Sequence, residues 1–117
     1  MSIGAVSDSV TAALHSALNG LEARQKVISS NIANVETPGY QARVVSFEDS
    51  LRAAIAGGEP SSSSYSVSQS VAPTRANGNN VNIDFEMLAQ RENVLRQKLV
   101  VQAVNAKYSL LRTAIGQ

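Results

Sequence analysis

The last third of the chain, from Asn82 to Gln117, most constrains the fold because it lacks proline and has no glycine before Gly116. Apolar residues recur there at steps of three, four and seven, which places them on one face of an α-helix. The first seam consists of Met87, Val94, Val101, Val104, Tyr108, Leu111 and Ile115. The second seam beside it consists of Leu88, Leu95, Leu99, Ala103, Ala106 and Leu110. The pattern predicts a helix over Asp84–Ile115, about 48 Å long, with an apolar face too broad for one partner helix.

A second long amphipathic helix is predicted near the N-terminus, over Ser7–Ala33, with a length of about 40 Å. Its apolar stripe consists of Leu14, Leu18, Leu21, Ile28 and Ile32. We expect the two long helices to pack antiparallel, in a coiled-coil-like pair that buries one seam of each. The remaining C-terminal seam is then left exposed, and exposed apolar patches of that kind mark association surfaces.

The middle of the chain has three local signals. Thr37-Pro38-Gly39-Tyr40 predicts a tight turn, because proline disfavours helix before it and glycine permits a positive φ. Tyr40–Val45 is then predicted as a short extended piece. Phe47–Ile55 predicts a short helix from apolar residues four apart, ended by the following glycine pair.

Residues 59–81 differ in character from the rest of the chain. They include four consecutive serines and two of the three prolines, so they bury too little apolar surface to offset the entropy of ordering. We expect this insert to be flexible in the free protein, although Tyr65, Val67 and Val71 are able to form a short strand against a neighbour. The predicted organisation is a single all-α domain with an N-terminal helix (1–36), a turn and short helix (37–58), the insert (59–81) and the C-terminal helix (82–117).

Composition argues against several functions. Cysteine is absent and His15 is the only histidine, so we expect no catalytic group, no metal site and no cofactor. A net charge of +1 gives no field that attracts nucleic acid, and the basic side chains are interleaved with acidic ones. No phosphate-binding glycine motif indicates a small-molecule substrate. The chain is therefore predicted not to be an enzyme.

One local motif carries a family resemblance. The sequence NIANVETPGY resembles the ANNxANxxTPGY signature of bacterial flagellar axial proteins, the rod and hook family; its matching residues are Asn31, Asn34, Thr37, Pro38, Gly39 and Tyr40. The stretches Gly78–Asp84 and Ala103–Ile115 are similar to the C-terminal block of the proximal rod members of that family. The short length also fits these members better than hook proteins, which carry large inserted domains.

The resemblance implies a structural subunit of the proximal rod of the flagellar basal body. Such subunits polymerise through their terminal helices and transmit torque across the periplasm. The implied partners are other copies of the chain, other rod proteins, the basal-body adaptor FliE, the MS ring and the flagellar type III export apparatus. The N-terminus has no conventional signal peptide, which agrees with that export route.

The expected polymerisation interface combines the N-terminal stripe with the C-terminal helix. Its residues are Leu14, Leu18, Leu21, Ile28, Ile32, Leu99, Val101, Val104, Tyr108, Leu111 and Ile115. The amphipathic helices fit a second hypothesis equally well, namely a small helical adaptor or export chaperone that binds one partner helix without polymerising. That alternative does not explain the NIANVETPGY motif.

A further segment is implied by the same resemblance. Axial proteins carry an FxxxΦ segment that docks on the export gate, and Phe47 with Leu51 fits that spacing. The alternative is that these two side chains only pack the short middle helix.

Overall fold

The computed structural model describes the backbone of residues 3–116 and the side chains from residue 8 onward. Residues 1, 2 and 117, which the predicted segments 1–36 and 82–117 include, lie outside the described residues. The elements in chain order are helix α1 (Ile3–Ala33), strand β1 (Arg43–Ser46), helix α2 (Glu48–Ala56), a 3₁₀ turn (Pro60–Ser62), strand β2 (Ser66–Gln69) and helix α3 (Ile83–Ala114). The molecule is a thin slab with extents of 63 × 28 × 14 Å.

The two long helices and the short middle helix are confirmed, and the long helices pack against each other. Helix α3 is capped by Asn82, whose side-chain oxygen accepts a hydrogen bond from the Phe85 N–H at 3.1 Å. That bond satisfies one of the free N–H groups of the first turn. The long pair is antiparallel, because the last turn of α1 contacts the first turn of α3 through Asn31 and Glu86.

The prediction of an all-α fold is wrong in one respect, since the chain contains a small antiparallel sheet. Strands β1 and β2 pair with Arg43 opposite Gln69 and Val45 opposite Val67. The extended piece predicted before residue 46 and the strand predicted around Val67 therefore pair with each other within one chain. The side chain of Val45 points inward and is 2% exposed. The flexibility of the insert in the free protein stays a prediction.

A small apolar core lies where the sheet meets α1. Its buried members are Leu21, Val27, Val45 and Phe47, and Ala23, Leu51 and Val100 pack against them. Gly20 makes this packing possible, because a Cβ atom there would collide with the Phe47 ring. The glycine weakens the helix by about 1 kcal/mol relative to alanine. In return, it allows the aromatic ring to lie directly on the α1 backbone.

The face of α3 that meets α1 is polar, which corrects the expectation that a C-terminal seam is buried there. The buried residues of α3 are Glu86 and Asn93. Asn93 donates hydrogen bonds to the Leu21 carbonyl at 2.9 Å and to the Gln25 side-chain oxygen at 3.1 Å. We call this contact the polar seam.

Both apolar seams of α3 lie on opposite flanks of the polar seam and are mostly exposed to solvent. Val104 is half-buried, and the other members of both seams are exposed. Periodicity identifies the side chains that share a face of the helix, but it does not say which face meets the partner. The hydrogen bonds that α1 offers to Glu86 and Asn93 decide that question.

Candidate assembly surface and asparagine clasp

Asn31 joins three elements at the end of α1. Its side chain is 1% exposed, donates to the Arg43 carbonyl at 2.9 Å and accepts from the Arg43 N–H at 3.0 Å. The amide group therefore pairs with the first residue of β1 as a neighbouring strand would. The same Asn31 Nδ2 donates to Glu86 Oε1 at 3.2 Å, which ties α1 and β1 to α3.

The TPGY turn, Thr37–Tyr40, follows directly and is closed by local hydrogen bonds. The Tyr40 N–H donates to the Thr37 carbonyl at 3.2 Å, and the Thr37 hydroxyl donates to Asn34 Oδ1 at 3.0 Å. Asn34 in turn donates to the Ser30 carbonyl at 2.8 Å. Gly39 has a φ of 75°, a conformation that glycine adopts without steric cost.

Two asparagines from the end of the insert hold this turn in place. Asn79 is 0% exposed and donates to the carbonyls of Asn34 and Thr37 at 2.9 and 2.8 Å. Its side-chain oxygen accepts from the Val81 N–H at 2.7 Å. Asn80 Oδ1 accepts from the Ala42 N–H at 2.6 Å. We call Asn31, Asn79 and Asn80 the asparagine clasp. Their side chains hydrogen-bond backbone groups that have no partner in a helix or strand.

Arg75 closes the clasp from outside. Its guanidinium donates to the Val35 carbonyl and to the Val81 carbonyl. The Gly39 N–H donates to the Asn77 carbonyl at 2.9 Å. The clasp therefore joins segments of the chain that are about forty residues apart, and it orients the entry into α3.

The hydroxyl group of Tyr40 is used within the chain. It lies 3.1 Å from the Ser30 hydroxyl oxygen and donates to Asn31 Oδ1 at 3.3 Å. Pro38, by contrast, is exposed at the tip of the turn.

The apolar stripe of α1 is mostly covered by other parts of the same chain. Leu21 and Ile28 are buried, and Leu14, Leu18 and Ile32 are half-buried. On α3 the balance is reversed, because the expected interface residues there are exposed except for half-buried Val104; the exposed ones are Leu99, Val101, Tyr108, Leu111 and Ile115. We call the two seams of α3 together the α3 apolar surface. It is the larger part of the predicted interface that is exposed in the single chain.

Phe47 and Leu51 lie in the core and beside it. Phe47 is 7% exposed, and the Arg24 guanidinium lies over its ring, 4.8 Å from the centroid. Arg24 also forms an ion pair with Glu48 at 2.6 Å and donates to the Val45 carbonyl at 2.8 Å. Partial burial raises the pKa of Glu48, but the Arg24 hydrogen bond and charge outweigh it, so the pKa is lowered. A docking role for Phe47 and Leu51 stays a prediction.

Comparison with known proteins assigns the family. A profile described as flagella basal body rod protein matches residues 13–41, the stretch that runs from α1 through the TPGY turn. The flagellar basal body rod protein FlgB of Bacillus subtilis is 33% identical over 115 residues, which cover 87% of this chain and 89% of that protein. The chain belongs to the FlgB family of flagellar basal body rod proteins.

Two further FlgB proteins are similar over most of their length. The Cereibacter sphaeroides protein is 30% identical, with 80% of this chain and 84% of that protein covered. The Escherichia coli protein is 29% identical, with 78% and 81% covered. The predicted family and the predicted role as a structural subunit of the basal-body rod are therefore confirmed, and the family is not one of enzymes.

The described part of this FlgB-family chain contains no group of three or more His, Cys, Asp or Glu residues that is able to hold a metal ion. Among its described helices, none is both long and apolar enough to cross a membrane. His15 is exposed on α1.

Sequence reasoning missed several residues that organise this FlgB-family fold. They are Arg75, Asn79, Asn80, Glu86 and Asn93. The run Asn77–Asn80 by itself predicts only a turn, and its partners lie far away in sequence. The one signal in the sequence is its two asparagine-rich stretches. Asparagine side chains are able to hydrogen-bond backbone groups that have no partner in a helix or strand.

We expect Gly39→Val to weaken the TPGY turn and block rod assembly. No atom lies within 4 Å of the position of a Cβ atom at Gly39, so the cost is backbone strain and not a clash. A β-branched residue at positive φ costs about 1–2 kcal/mol or more. Swimming and isolated basal bodies report assembly, and Gly57→Val, at a negative φ, is the control. Normal filament growth in the Gly39→Val strain would contradict this expectation.

We expect Glu86→Gln to stabilise the protein at about pH 7 and to have no effect near pH 4. Burial raises the pKa of Glu86 above its usual 4.5, and the hydrogen bond from Asn31 opposes this only in part. Folding therefore favours the protonated acid, so stability is greatest below the unfolded pKa and is lost as pH rises through the folded pKa. Glutamine remains neutral and still accepts from Asn31.

Thermal melts at the two pH values check this, with Glu92→Gln on the exposed face of α3 as control. The Glu86→Gln chain should melt a few degrees higher at the upper pH only. Equal shifts at both pH values would show that the carboxylate charge is not the cause.

Proposed function

We propose that this chain polymerises through its terminal helices as a subunit of the proximal rod, and that the rod transmits torque across the periplasm. The observation that carries the proposal is the α3 apolar surface. A dozen large apolar side chains between Ile83 and Ile115 are exposed in the single chain. A chain that worked alone would seldom leave so many large apolar side chains of one helix uncovered.

The polar seam holds the two long helices together only weakly, so we infer that the pair gains much of its stability on assembly. Its hydrogen bonds specify how α1 and α3 pack, yet each contributes only about 1 kcal/mol net. Covering a half-exposed leucine or valine contributes about 1 kcal/mol, and association first costs at least about 4 kcal/mol. Several side chains of each seam must therefore be covered, and seams on opposite flanks of α3 require more than one neighbour.

The proposed partners are other copies of the chain, other rod proteins, the adaptor FliE, the MS ring and the type III export apparatus. Export is proposed to take place before folding. Phe47 is buried against Gly20 and Arg24, so an export-gate docking segment of Phe47 and Leu51 is exposed only in an unfolded chain. After assembly, the same two side chains pack the core beside α2.

Complementation tests the proposal. The chain, carrying a small epitope, is expressed in a strain that lacks its own FlgB, and basal bodies are purified. We expect swimming to return and the epitope to appear in the rod fraction. A chain that remains in the cytosol and leaves the strain immotile would favour the adaptor or chaperone hypothesis instead.

Circular dichroism and sedimentation of the dilute purified chain provide an independent measurement. We expect a monomer of marginal stability that melts at low temperature, because neighbours supply much of the burial. A monomer with the stability of an ordinary domain of this size would show that the helices satisfy each other, which would contradict assembly as the source of much of the folding free energy.

A further inference from the structure

The chain contains two Asn-Gly dipeptides, Asn19–Gly20 within α1 and Asn77–Gly78 in the turn that leads into the clasp. Asparagine deamidates most readily before glycine, because glycine has no side chain to keep its backbone nitrogen away from the asparagine side chain. The two dipeptides therefore offer the same chemistry in different surroundings.

Helix α1 holds the first dipeptide closed. Inside a helix the Gly20 nitrogen donates to the carbonyl four residues earlier, so it does not turn towards the Asn19 side chain while the helix is intact. The Phe47 ring also packs directly on Gly20, which is buried. Asn19 should therefore stay unmodified for as long as α1 is folded, and its deamidation reports global unfolding.

Hydrogen bonds hold the second dipeptide, but they belong to a turn and not to a helix. The Gly78 N–H donates to the Arg75 carbonyl at 2.9 Å, and Asn77 Oδ1 accepts from the Asn79 N–H at 3.1 Å. The Gly78 carbonyl accepts from Gln41 Nε2 at 2.7 Å. Asn77 itself is exposed, so water reaches its side chain. Deamidation thus requires this turn to open, while no helix has to unfold.

We propose that Asn77 deamidates when this turn opens and that the isoaspartate product prevents the clasp from closing again. The Gly78 nitrogen gives up its proton and bonds to Asn77 Cγ, and the side-chain nitrogen leaves with that proton as ammonia. The product is a succinimide ring. Water then adds to the ring and breaks one of its two C–N bonds, which gives aspartate or isoaspartate. In isoaspartate the backbone runs through the former side chain and is longer by one carbon atom.

The longer backbone matters because the turn is tied to the TPGY turn on both sides of the lesion. The Gly39 N–H donates to the Asn77 carbonyl at 2.9 Å, and Asn79 Nδ2 donates to the Thr37 carbonyl at 2.8 Å. An extra backbone atom between Asn77 and Asn79 breaks the register of these two bonds. A chain that opens repeatedly before assembly is then lost from the pool that is able to fold. The chemistry does not depend on the proposed rod function, although exclusion from the rod does.

Peptide mass spectrometry measures deamidation at both dipeptides in one chain, because trypsin releases them on separate peptides, 1–24 and 76–91. Fragmentation then locates the change at Asn77. The full chain is incubated at one mildly alkaline pH, folded and in urea. In urea we expect the two dipeptides to react at similar rates. In the folded chain we expect both to react at least about tenfold more slowly, which corresponds to an opening cost of about 1.4 kcal/mol.

Gln41→Ala separates opening of the turn from unfolding of the chain. It removes the hydrogen bond to the Gly78 carbonyl, and we expect deamidation at Asn77 to become about fivefold faster while Asn19 stays slow. The control Gln102→Ala, exposed on α3, should change neither rate. Equal rates at Asn77 in the folded chain and in urea, or equal acceleration of both dipeptides by Gln41→Ala, would overturn the proposal.

Refolding tests the consequence of the modification. A chain aged in urea is returned to conditions where the unaltered chain folds, and folded molecules are separated by size exclusion. We expect isoaspartate at position 77 to be nearly absent from the folded fraction. The Asn77→Asp chain keeps an ordinary backbone and both acceptors, so it should fold as the unaltered chain does. Equal isoaspartate content in the folded and unfolded fractions would contradict the proposal, whereas failure of the unaltered chain to complement would count against the rod function alone.

Discussion

Replacing Asn79 by alanine should leave the chain largely unfolded. The side chain of Asn79 bonds three backbone groups, the carbonyls of Asn34 and Thr37 and the N–H of Val81. The Val81 N–H would lose its partner, which costs about 1–3 kcal/mol, while the carbonyls of Asn34 and Thr37 would keep the N–H groups of Thr37 and Tyr40 and lose only their second donor, at about 1 kcal/mol each. The total approaches the stability of a small domain at the lower limit of the usual range of about 5–15 kcal/mol, where the small core places this chain.

Urea unfolding followed by circular dichroism measures the loss, under conditions where the unaltered chain is folded. Asn105→Ala is the matched control, since Asn105 is exposed on α3 and alanine favours helix there. Asn79→Asp retains the acceptor for Val81, but it loses both donors and buries a carboxylate against two carbonyl oxygens, so its effect should be at least as large as that of alanine. A loss below about 1 kcal/mol in Asn79→Ala would show that the clasp does not hold the turn.

Replacing Leu111 by aspartate should abolish rod assembly and leave the single chain folded as before. Leu111 is 40% exposed and belongs to the first seam of the α3 apolar surface. In the assembled rod, a carboxylate at this position would be buried without a partner, which costs several kcal/mol at every subunit contact. In the free chain the carboxylate stays in water and costs little.

Swimming of a complemented strain and recovery of basal bodies measure the effect. Leu111→Met keeps the apolar contact and should support swimming, whereas Gln102→Asp adds the same charge at an exposed position outside both seams. Melting of the purified variants separates an assembly defect from misfolding. A motile Leu111→Asp strain would refute the placement of the first seam at a subunit contact.

Sequence reasoning predicts the helices well because their signals are local. Uninterrupted apolar periodicity, the cap at Asn82 and the break at Pro38 and Gly39 each depend on neighbouring residues only. The middle helix is also predictable, although its N-cap residue Phe47 makes no side-chain cap hydrogen bond. Local chemistry decided these elements, and tertiary contacts did not override it.

The sheet, the polar seam and the clasp depend on distant partners, so the sequence predicts them in part or not at all. A strand signal is present near Val67, but nothing local shows that it pairs with Val45. Glu86 and Asn93 look like surface residues until Asn31 and the Leu21 carbonyl are placed opposite them. A helix with apolar seams on two flanks gives no local sign of which face packs against its partner helix.

The clasp and the β1–β2 pairing together hold both ends of the segment that leaves the helical pair at Arg43 and returns to it at Asn80. Added residues inside that segment therefore cost little folding free energy, because doubling a loop whose ends are already held costs only about 0.6 kcal/mol. Gly57 and Gly58 lie at its exposed tip, and no atom lies within 4 Å of a Cβ atom at Gly58. We therefore expect the tip to accommodate foreign sequence that stays unfolded during export, such as a short epitope, without disturbing the helices.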